Sequence, residues 1–404
     1  MRFLTPTAWC AALFLATTLF SHTVALRLLL LFAGFFLAGA ALADARLRSH
    51  DRSVRFAPPL LLPFALWAAW AALSLLWSLE PALTVKELLN EVGYSLLALC
   101  LCYVGAQAAN AARIFLPVIA LAAAAVCAVA LRYGWFGLPD SPTWPYGGAG
   151  AYTSTLLILF PCTLSFAWLT IVNRWHKSLT AVAIALIALY LVSGYGTLNR
   201  TLWIGFAAQI AIAAWFLLTR PSPSPASGRR QTMAIAATAV LAIAAATAIA
   251  ARVQSERFGP DSGSLQHDPR LQLWKSVLQR IEERPFKGSG FGRGMARHEL
   301  RGESGDGNLW HSHNLILDMA LQLGAIGVGL FALLIGWTVR LGWKLVRAPD
   351  AAAAACGVAL LAIVAGMLIR NLTDVLWVRQ SALLYWGVVG ALLGWGTRAA
   401  ARAP

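Results

Sequence analysis

The segment LWHSHNLILDMALQLGAIGVGLFALLIGW (309–337) decides the fold class of this chain. Its apolar part is long enough for a helix that crosses the ~30 Å hydrocarbon core of a bilayer. Polar side chains nevertheless stand at its start and just inside it, and polar groups are costly at membrane depth. The segment therefore predicts a transmembrane helix whose polar end has a structural or functional partner.

The rest of the chain has the composition of a polytopic membrane protein. It has 404 residues, of which 59% are hydrophobic and 12% are charged, too apolar for a soluble domain that must face water on all sides. Long apolar stretches recur and predict an all-α fold with about twelve transmembrane helices. The predicted spans are 8–21, 24–43, 59–78, 88–108, 112–131, 152–172, 178–195, 200–219, 232–251, 314–338, 352–370 and 379–396.

The distribution of basic residues predicts the orientation of these spans. The net charge is +15, and Lys and Arg concentrate in alternate connecting loops, as they do in cytoplasmic loops. This pattern places both termini in the cytoplasm and explains the positive charge without a nucleic-acid partner. Apolar segments follow the N-terminus directly, so we interpret it as the first span and not as a cleaved signal peptide.

One predicted outer loop is much longer and more polar than the others. Residues 252–312 separate the first nine spans (1–251) from the last three (313–404). A structureless loop of this length is unusual in a compact fold and suggests a function. We therefore expect a large, partly helical periplasmic loop between the ninth and tenth helices.

The helical part of this loop has recognisable start and stop signals. Asp268 is a candidate N-cap, Pro269 suits the first helical position, and Pro285 ends the helix formed by RLQLWKSVLQRIEE (270–283). The helical period predicts one apolar stripe. The residues of this predicted stripe are Leu271, Trp274, Leu278 and Ile281.

The glycine-rich segment KGSGFGRG (287–294) follows this helix. A dinucleotide-binding fingerprint would require a preceding strand and a βαβ unit, and neither is predicted. We expect the glycines to let the backbone approach a headgroup or another helix closely, because glycine has no Cβ.

Two arginines stand at positions from which they could bind an anion. Arg200, in YGTLNRTLW (195–203), lies at the outer mouth of a predicted span, either as a snorkelling anchor or as a guanidinium that grips phosphate. Arg270 falls in the first turn of the loop helix, where a cation opposes the helix dipole. That unfavourable placement suggests an anionic partner for Arg270.

The polar residues of the opening segment follow a helical spacing. Asn314, Asp318 and Gln322 are spaced i, i+4 and i+8, which predicts one polar stripe down a transmembrane helix. The stripe should face a cavity or partner helices, and Asp318 fits a helix–helix hydrogen bond as well as a site role. Gly324 and Gly327 lie on another face and are expected to permit close helix packing.

The histidines at the start of this segment suggest acid–base chemistry. On a helix, His311 and His313 would point to opposite sides, and we see no cysteine or well-spaced carboxylate to complete a tetrahedral zinc site. We therefore predict no metal and interpret one histidine as an acid or base. The six cysteines all fall in apolar segments, where they act as small hydrophobic side chains and not as a disulfide framework.

Three motifs together resemble those of the bacterial O-antigen ligases. The first is His313-Asn314, followed after nine residues by Gly324 and then by Gly327. The second is Arg200 within T-x-N-R-T-x-W, and the third is Arg270 within R-x-x-x-W. The wider superfamily includes O-antigen polymerases and protein O-oligosaccharyltransferases. Asn199 stands where many relatives have Ser before the arginine.

This resemblance implies an enzyme of the bacterial inner membrane whose active site faces the periplasm. Such a ligase moves polysaccharide from undecaprenyl diphosphate to the lipid A–core oligosaccharide, inverts the anomeric centre and uses no metal or other cofactor. The resemblance maps the essential histidine onto His313 and two essential arginines onto Arg200 and Arg270. His311, Asn314 and Asp318 would be supporting residues.

The residues agree with this chemistry but leave other functions open. The outer acidic residues are scattered and form no D-x-D motif, so arginines would neutralise the departing diphosphate in place of a metal. A polymerase usually has two large outer loops, whereas one is predicted here. Protein O-oligosaccharyltransferase remains a further alternative, and a membrane transporter is the alternative of a different class.

Overall fold

The computed structural model describes residues 3–48, 55–133, 149–197, 199–219, 244, 248, 269–300, 311–375 and 379–402. Every regular element in these ranges is helical, which confirms the predicted all-α class. A 3₁₀ turn, Ser74–Leu76, and a π-helical turn, Leu88–Gly93, interrupt the α-helices. The α-helices are α1 (Leu4–Thr18), α2 (Val24–Arg48), α3 (Leu61–Leu73), α4 (Pro81–Glu87), α5 (Tyr94–Gly105), α6 (Ala111–Tyr133), α7 (Ala149–Val172), α8 (Lys177–Tyr195), α9 (Arg200–Thr219), α10 (Pro269–Glu283), α11 (Met295–Glu299), α12 (Leu315–Val346), α13 (Ala351–Asn371) and α14 (Arg379–Arg402).

Within the described ranges, seven helical stretches are long and apolar enough to cross a bilayer, which indicates a membrane protein. Three further predicted spans are shorter apolar helices, and α14 coincides with the last predicted span. The count of twelve and the cytoplasmic termini stay predictions. The ninth predicted span, 232–251, and much of the loop 252–312 lie outside the described residues. The seven stretches are Val24–Asp44, Pro81–Gly105, Ala111–Arg132, Gly150–Val172, Lys177–Tyr195, Leu315–Val346 and Ala351–Asn371.

Close packing of α9 against α13 sets the end of the bundle at which the site lies. Gln209 of α9 lies against Gly366 of α13. Further along α9, Phe216 packs with Ala354 and Val358, which come earlier in α13. The two helices are therefore antiparallel, and the first residue of α9, Arg200, lies at the same end of the bundle as the last turn of α13.

Helix α12 is broken at Gly324, whose φ of 64° and ψ of −171° are not helical. The part after the break, residues 325–346, is about 33 Å long at 1.5 Å per residue and is sufficient to cross the bilayer alone. The polar residues predicted to lie along one continuous transmembrane helix instead precede this part. The helical spacing predicted for the polar stripe was therefore right. The stripe is not continuous with residues 325–346, because the break at Gly324 separates the two.

Residues 285–290, which include the start of the glycine-rich segment, pack into the break in α12. Near Gly324, backbone groups of α12 that have lost their helical partners bond instead to the backbone of residues 285–290. An added Cβ at Gly324 would lie 2.2 Å from the carbonyl carbon of Phe286, so only glycine fits. The four bonds are Ala325 N to Pro285 O (2.8 Å), Ile326 N to Phe286 O (3.4 Å), Ser289 N to Leu321 O (2.9 Å) and Gly290 N to Gln322 O (2.9 Å).

Side chains near the end of α3 fasten the same junction. Trp70 Nε1 donates to the Leu323 carbonyl at 3.0 Å, and Trp77 Nε1 donates to the Lys287 carbonyl at 3.0 Å. The prediction that these glycines allow close backbone approach is confirmed, with α12 as the partner. Gly324 was predicted to permit close helix packing, but it instead permits close approach of the non-helical backbone at Phe286, because α12 is broken there.

The loop helix α10 has the predicted extent, and its predicted apolar stripe is confirmed in part, because Ile281 packs against a buried cluster and Trp274 is half-buried. Leu271 and Leu278 are exposed, whereas Leu273 and Val277 are buried in a cluster that includes Leu321 of α12. The buried face therefore includes Leu273 and Val277 in place of Leu271 and Leu278, because α10 packs its Leu273 side against α12. The predicted N-cap Asp268 lies outside the described residues. All six cysteines are free thiols.

Replacing Gly324 by Ala tests the broken helix. We expect Gly324→Ala to lower thermal stability in detergent, because the methyl group meets the Phe286 carbonyl and a left-handed conformation costs an L-residue about 1–2 kcal/mol. Gly336→Ala is the matched control in the same helix, since no other atom lies within 4 Å of its added Cβ. Equal melting temperatures for the two variants would contradict the proposed junction.

Candidate active site

The histidine segment precedes α12 and is not part of it. Asn314 is the N-cap of α12, and its Oδ1 accepts from the backbone N–H groups of Ile316 (3.0 Å) and Leu317 (3.1 Å). Its Nδ2 donates to the Leu372 carbonyl at 3.1 Å. Asn314 therefore ties the start of α12 to the end of α13, and sequence spacing alone did not reveal this structural role.

The two histidines converge on one carboxylate, Asp374. His311 Nε2 lies 3.7 Å and His313 Nδ1 lies 3.6 Å from Asp374 Oδ1, and the two rings are 4.2 Å apart. Asp374 stands in the connection after α13, far from the histidines in sequence. Sequence reasoning missed it because no local motif marks it.

A buried arginine holds Asp374 in place. Arg370 Nη2 lies 3.1 Å from Asp374 Oδ2, and Arg370 Nε donates to Thr153 Oγ1 of α7 at 3.3 Å. Burial by itself raises the pKa of Asp374, but the imidazole of His313 and the guanidinium of Arg370 outweigh it and hold that pKa well below its usual range. Asp374 is therefore a carboxylate at neutral pH.

The two imidazoles differ in their hydrogen bonds and in their exposure. His311 Nδ1 accepts the backbone N–H of His313 at 3.1 Å, so its own proton lies on Nε2. Burial, His313 and Arg293 lower the pKa of His311 to about 3. The His311 side chain is 8% exposed and that of His313 is 28% exposed. His313 is thus the more accessible of the pair.

The backbone conformation of His313 is unusual. Its φ of 51° lies in the left-handed region, which non-glycine residues seldom adopt and which often marks functional sites. The turn is supported by Ser312, whose Oγ donates to the Asn314 carbonyl at 2.8 Å. This turn brings the two imidazoles together ahead of α12.

The geometric argument against a metal at the histidines was wrong. Neither histidine is in a helix, their rings lie side by side, and Asp374 supplies the carboxylate that the sequence did not reveal. Ligand atoms of His311, His313 and Asp374 all lie within 4.8 Å of one another, so these residues could hold an ion. Asp374 already forms an ion pair with Arg370, which weakens the attraction of this carboxylate for a cation.

Asp318 and Gln322 form a hydrogen-bonded chain behind the histidines. Asp318 Oδ1 accepts the Ser312 N–H at 3.1 Å, and Asp318 Oδ2 accepts from Gln322 Nε2 at 2.6 Å. Gln322 Oε1 in turn accepts the Gly292 N–H at 2.9 Å. Asp318 is buried and links the histidine segment to the glycine-rich segment, which is a structural role.

Arg270 lies close to the cluster of His311, His313 and Asp374. The like charges of Arg270 and Arg370, the partner of Asp374, repel each other. The helix of Arg270, α10, is fastened to the histidine segment because Trp274 Nε1 donates to the Ser312 carbonyl at 2.9 Å. The R-x-x-x-W motif therefore joins an arginine near the cluster to a tryptophan that contacts the histidine segment.

Arg200 begins α9 at the same end of the bundle. Asn199 Oδ1 accepts the Leu202 N–H at 3.2 Å and the Thr201 hydroxyl at 2.8 Å, as an N-cap does. Serine would serve equally well as the cap, so the difference from the family motif leaves the position of Arg200 unchanged. The antiparallel pairing of α9 and α13 places Arg200 at the Asp374 end.

Residues 183–332 match the model of the O-antigen ligase family. The match supports the resemblance of this part of the chain to the O-antigen ligase superfamily. The match includes Arg200, Arg270 and His313 and supports a function of the O-antigen ligase or polymerase type, with glycosyltransferase-like action on a polysaccharide. The comparison with curated proteins found no match.

The low pKa of His311 gives a pH dependence of stability. A histidine in the unfolded chain has a pKa of about 6.5. Below that pH the unfolded chain therefore binds a proton at His311 that the folded chain does not. Stability should therefore fall as the pH drops from about 6.5 towards 3, with a slope that approaches about 1.4 kcal/mol per pH unit.

Melting temperatures of wild type and His311→Gln between pH 4 and 7.5 measure this effect. The variant should have a flatter profile, because glutamine does not titrate. His22→Gln, which alters an exposed histidine, serves as the control and should keep the wild-type slope. Parallel profiles for His311→Gln and wild type would show that His311 is not held neutral.

Proposed function

We propose that this protein is an O-antigen ligase that joins polysaccharide from undecaprenyl diphosphate to the lipid A–core oligosaccharide at the periplasmic face of the inner membrane. The observation that carries the proposal is the His313–Asp374 pair, located at the bundle end where Arg200 and Arg270 also lie. The family match over residues 183–332 supports the same class of function.

The reaction is an inverting displacement at the anomeric carbon. A hydroxyl oxygen of the acceptor sugar forms the new bond to that carbon, while the bond from the carbon to the phosphate oxygen breaks. The electron pair leaves with undecaprenyl diphosphate, and the hydroxyl proton passes to a base. No oxidant, reductant or nucleotide is consumed.

His313 is suited to be the base. Its Nδ1 faces Asp374 at 3.6 Å, longer than a hydrogen bond, but such contacts commonly shorten when substrates bind. A proton on Nδ1 leaves Nε2 for the acceptor hydroxyl, and the carboxylate stabilises the imidazolium that forms. His311 cannot use Nδ1 in this way because Nδ1 already accepts the His313 N–H. Base catalysis of this kind typically contributes ~10²–10⁴-fold.

Arg200 and Arg270 are assigned to the donor diphosphate. Negative charge develops on the leaving group, and guanidinium groups placed in advance stabilise it without a divalent ion. A planar guanidinium donates to two phosphate oxygens at once. The like-charge interaction of Arg270 with Arg370, the ion-pair partner of Asp374, supports an assignment of the diphosphate near the proposed base.

A purified transfer assay with lipid-linked O-antigen and lipid A–core tests these roles. Arg200→Ala and Arg270→Ala should weaken use of the donor severely, since the loss of one partner of a desolvated charge pair costs ~2–5 kcal/mol. His313→Ala should reduce turnover by ~10²–10⁴-fold with a smaller effect on donor binding. Arg280→Ala, in the same helix as Arg270 and paired with Glu283, is the matched control.

The products of this assay separate the alternatives. A longer glycan that stays on the diphosphate carrier, with none on lipid A–core, would indicate a polymerase. Transfer to a protein acceptor would indicate a protein O-oligosaccharyltransferase. Solute flux in liposomes that survives His313→Ala would support a transporter. Normal ligation by a correctly folded His313→Ala variant would reject the proposed base.

Removal of divalent ions tests whether arginines replace a metal. We expect transfer to survive extensive treatment with EDTA, because guanidinium groups stabilise the leaving diphosphate and Asp374 already forms an ion pair with Arg370. The measurement is the transfer rate before and after chelation, with zinc and magnesium added back separately. Loss on chelation with recovery on zinc would assign His311, His313 and Asp374 as metal ligands.

A further inference from the structure

Arg293 lies in the glycine-rich segment, and the chain of hydrogen bonds behind the histidines fixes its position. The preceding residue, Gly292, donates its N–H to Gln322 Oε1 at 2.9 Å. Gln322 bonds to Asp318, and Asp318 accepts the N–H of Ser312, which lies between the two histidines. Backbone and side-chain bonds therefore hold Arg293 in register with the histidine segment.

The guanidinium of Arg293 has neighbours but no bonded partner. It interacts electrostatically with Glu91, Asp318 and His311. Among the described residues it nevertheless forms no ion pair and no hydrogen bond, and its Nε is buried without a partner. Arg284, which directly follows α10, differs because it contacts Glu299 at 3.4 Å and Ser289 Oγ at 3.3 Å.

A guanidinium near His311 with no ion pair or hydrogen bond among the described residues is chemically unusual. Arginine has five N–H donors in a planar fork, remains charged, and is costly to bury without acceptors. The nearby carboxyl groups of Glu91 and Asp318 could have bonded to it, but Asp318 instead bonds to Ser312 and Gln322. The donors of Arg293 are therefore left for an acceptor that is not part of the described chain.

We propose that Arg293 is a further anion-binding residue, which donates to a phosphate oxygen of the lipid diphosphate donor. This inference rests on the proposed function and adds a third guanidinium, supplied by the glycine-rich segment, to Arg200 and Arg270. A phosphate oxygen is the acceptor that suits a planar guanidinium next to His311. The competing explanation is that Arg293 only balances the charge of Glu91 and Asp318.

Binding of undecaprenyl diphosphate to the full-length protein in nanodiscs tests this inference without any acceptor. We expect Arg293→Gln to bind about tenfold or more weakly and Arg293→Lys to be intermediate, because lysine keeps the charge but loses the fork. Arg297→Gln, at an exposed position of the neighbouring helix α11, should bind as wild type does. Melting temperatures identify any variant that fails to fold, in which case Arg293→Lys carries the comparison.

A second variant separates anion binding from charge balance. If Arg293 only balances acidic neighbours, adding Glu91→Gln to Arg293→Gln should restore lipid binding, which would overturn the proposal. We expect the double variant to bind as weakly as Arg293→Gln alone. Unchanged lipid binding by Arg293→Gln with a raised KM for lipid A–core alone would place the anion on the acceptor and also overturn it.

The outcomes for Arg293 and for the proposed function are distinguishable. Wild-type protein that binds undecaprenyl diphosphate but gives no product on lipid A–core would reject the ligase assignment and leave the Arg293 comparison intact. Normal binding by Arg293→Gln beside weak binding by Arg200→Ala and Arg270→Ala would reject Arg293 alone.

Discussion

The structure depends on one constraint: backbone polar groups away from water must form hydrogen bonds. A break in a helix near a membrane exposes N–H and C=O groups, and each unsatisfied group costs several kcal/mol. The break at Gly324 is stable because residues 285–290 supply the missing partners. The same bonds bring the glycine-rich segment, α10 and the histidine segment together on one side of α12.

The polar residues at the start of α12 have partners for the same reason. Asn314 caps the helix, Asp318 accepts from Ser312, and Gln322 connects Asp318 to Gly292. Their hydrogen bonds offset the cost of burying polar side chains and set the position of the histidine segment. Asn314, Asp318 and Gln322 thus support the site, and the proposed chemistry is assigned to His313 and its neighbours.

Residue patterns predicted much of the fold, because local physics determines it. Apolar length predicted the helices that the structure describes, and Pro269 together with the helical period predicted the extent of α10. The break in α12 was not predicted, since Gly324 alone does not reveal that residues 285–290 will bond to its neighbours. The buried face of α10 was predicted only in part, because packing against Leu321 buries Leu273 and Val277, whereas Leu271 and Leu278 are exposed.

The candidate site was predictable only where a motif is local. His313, Arg200 and Arg270 stand in recognisable motifs, whereas Asp374, Arg370 and Arg293 meet the histidine segment only through tertiary contacts. The helical assumption for His311 and His313 failed because Asn314 caps α12 after them. That error led to the wrong geometric argument about metal binding.

Hydrogen–deuterium exchange of residues 286–292 in the detergent-solubilised protein tests the junction at Gly324 most directly. The structure predicts slow exchange for the Ser289 and Gly290 amides, comparable to that of residues 325–335, because both donate to carbonyl groups of α12. It also predicts that Gly324→Ala accelerates this exchange. Exchange at these amides as fast as in an unstructured peptide would contradict the account.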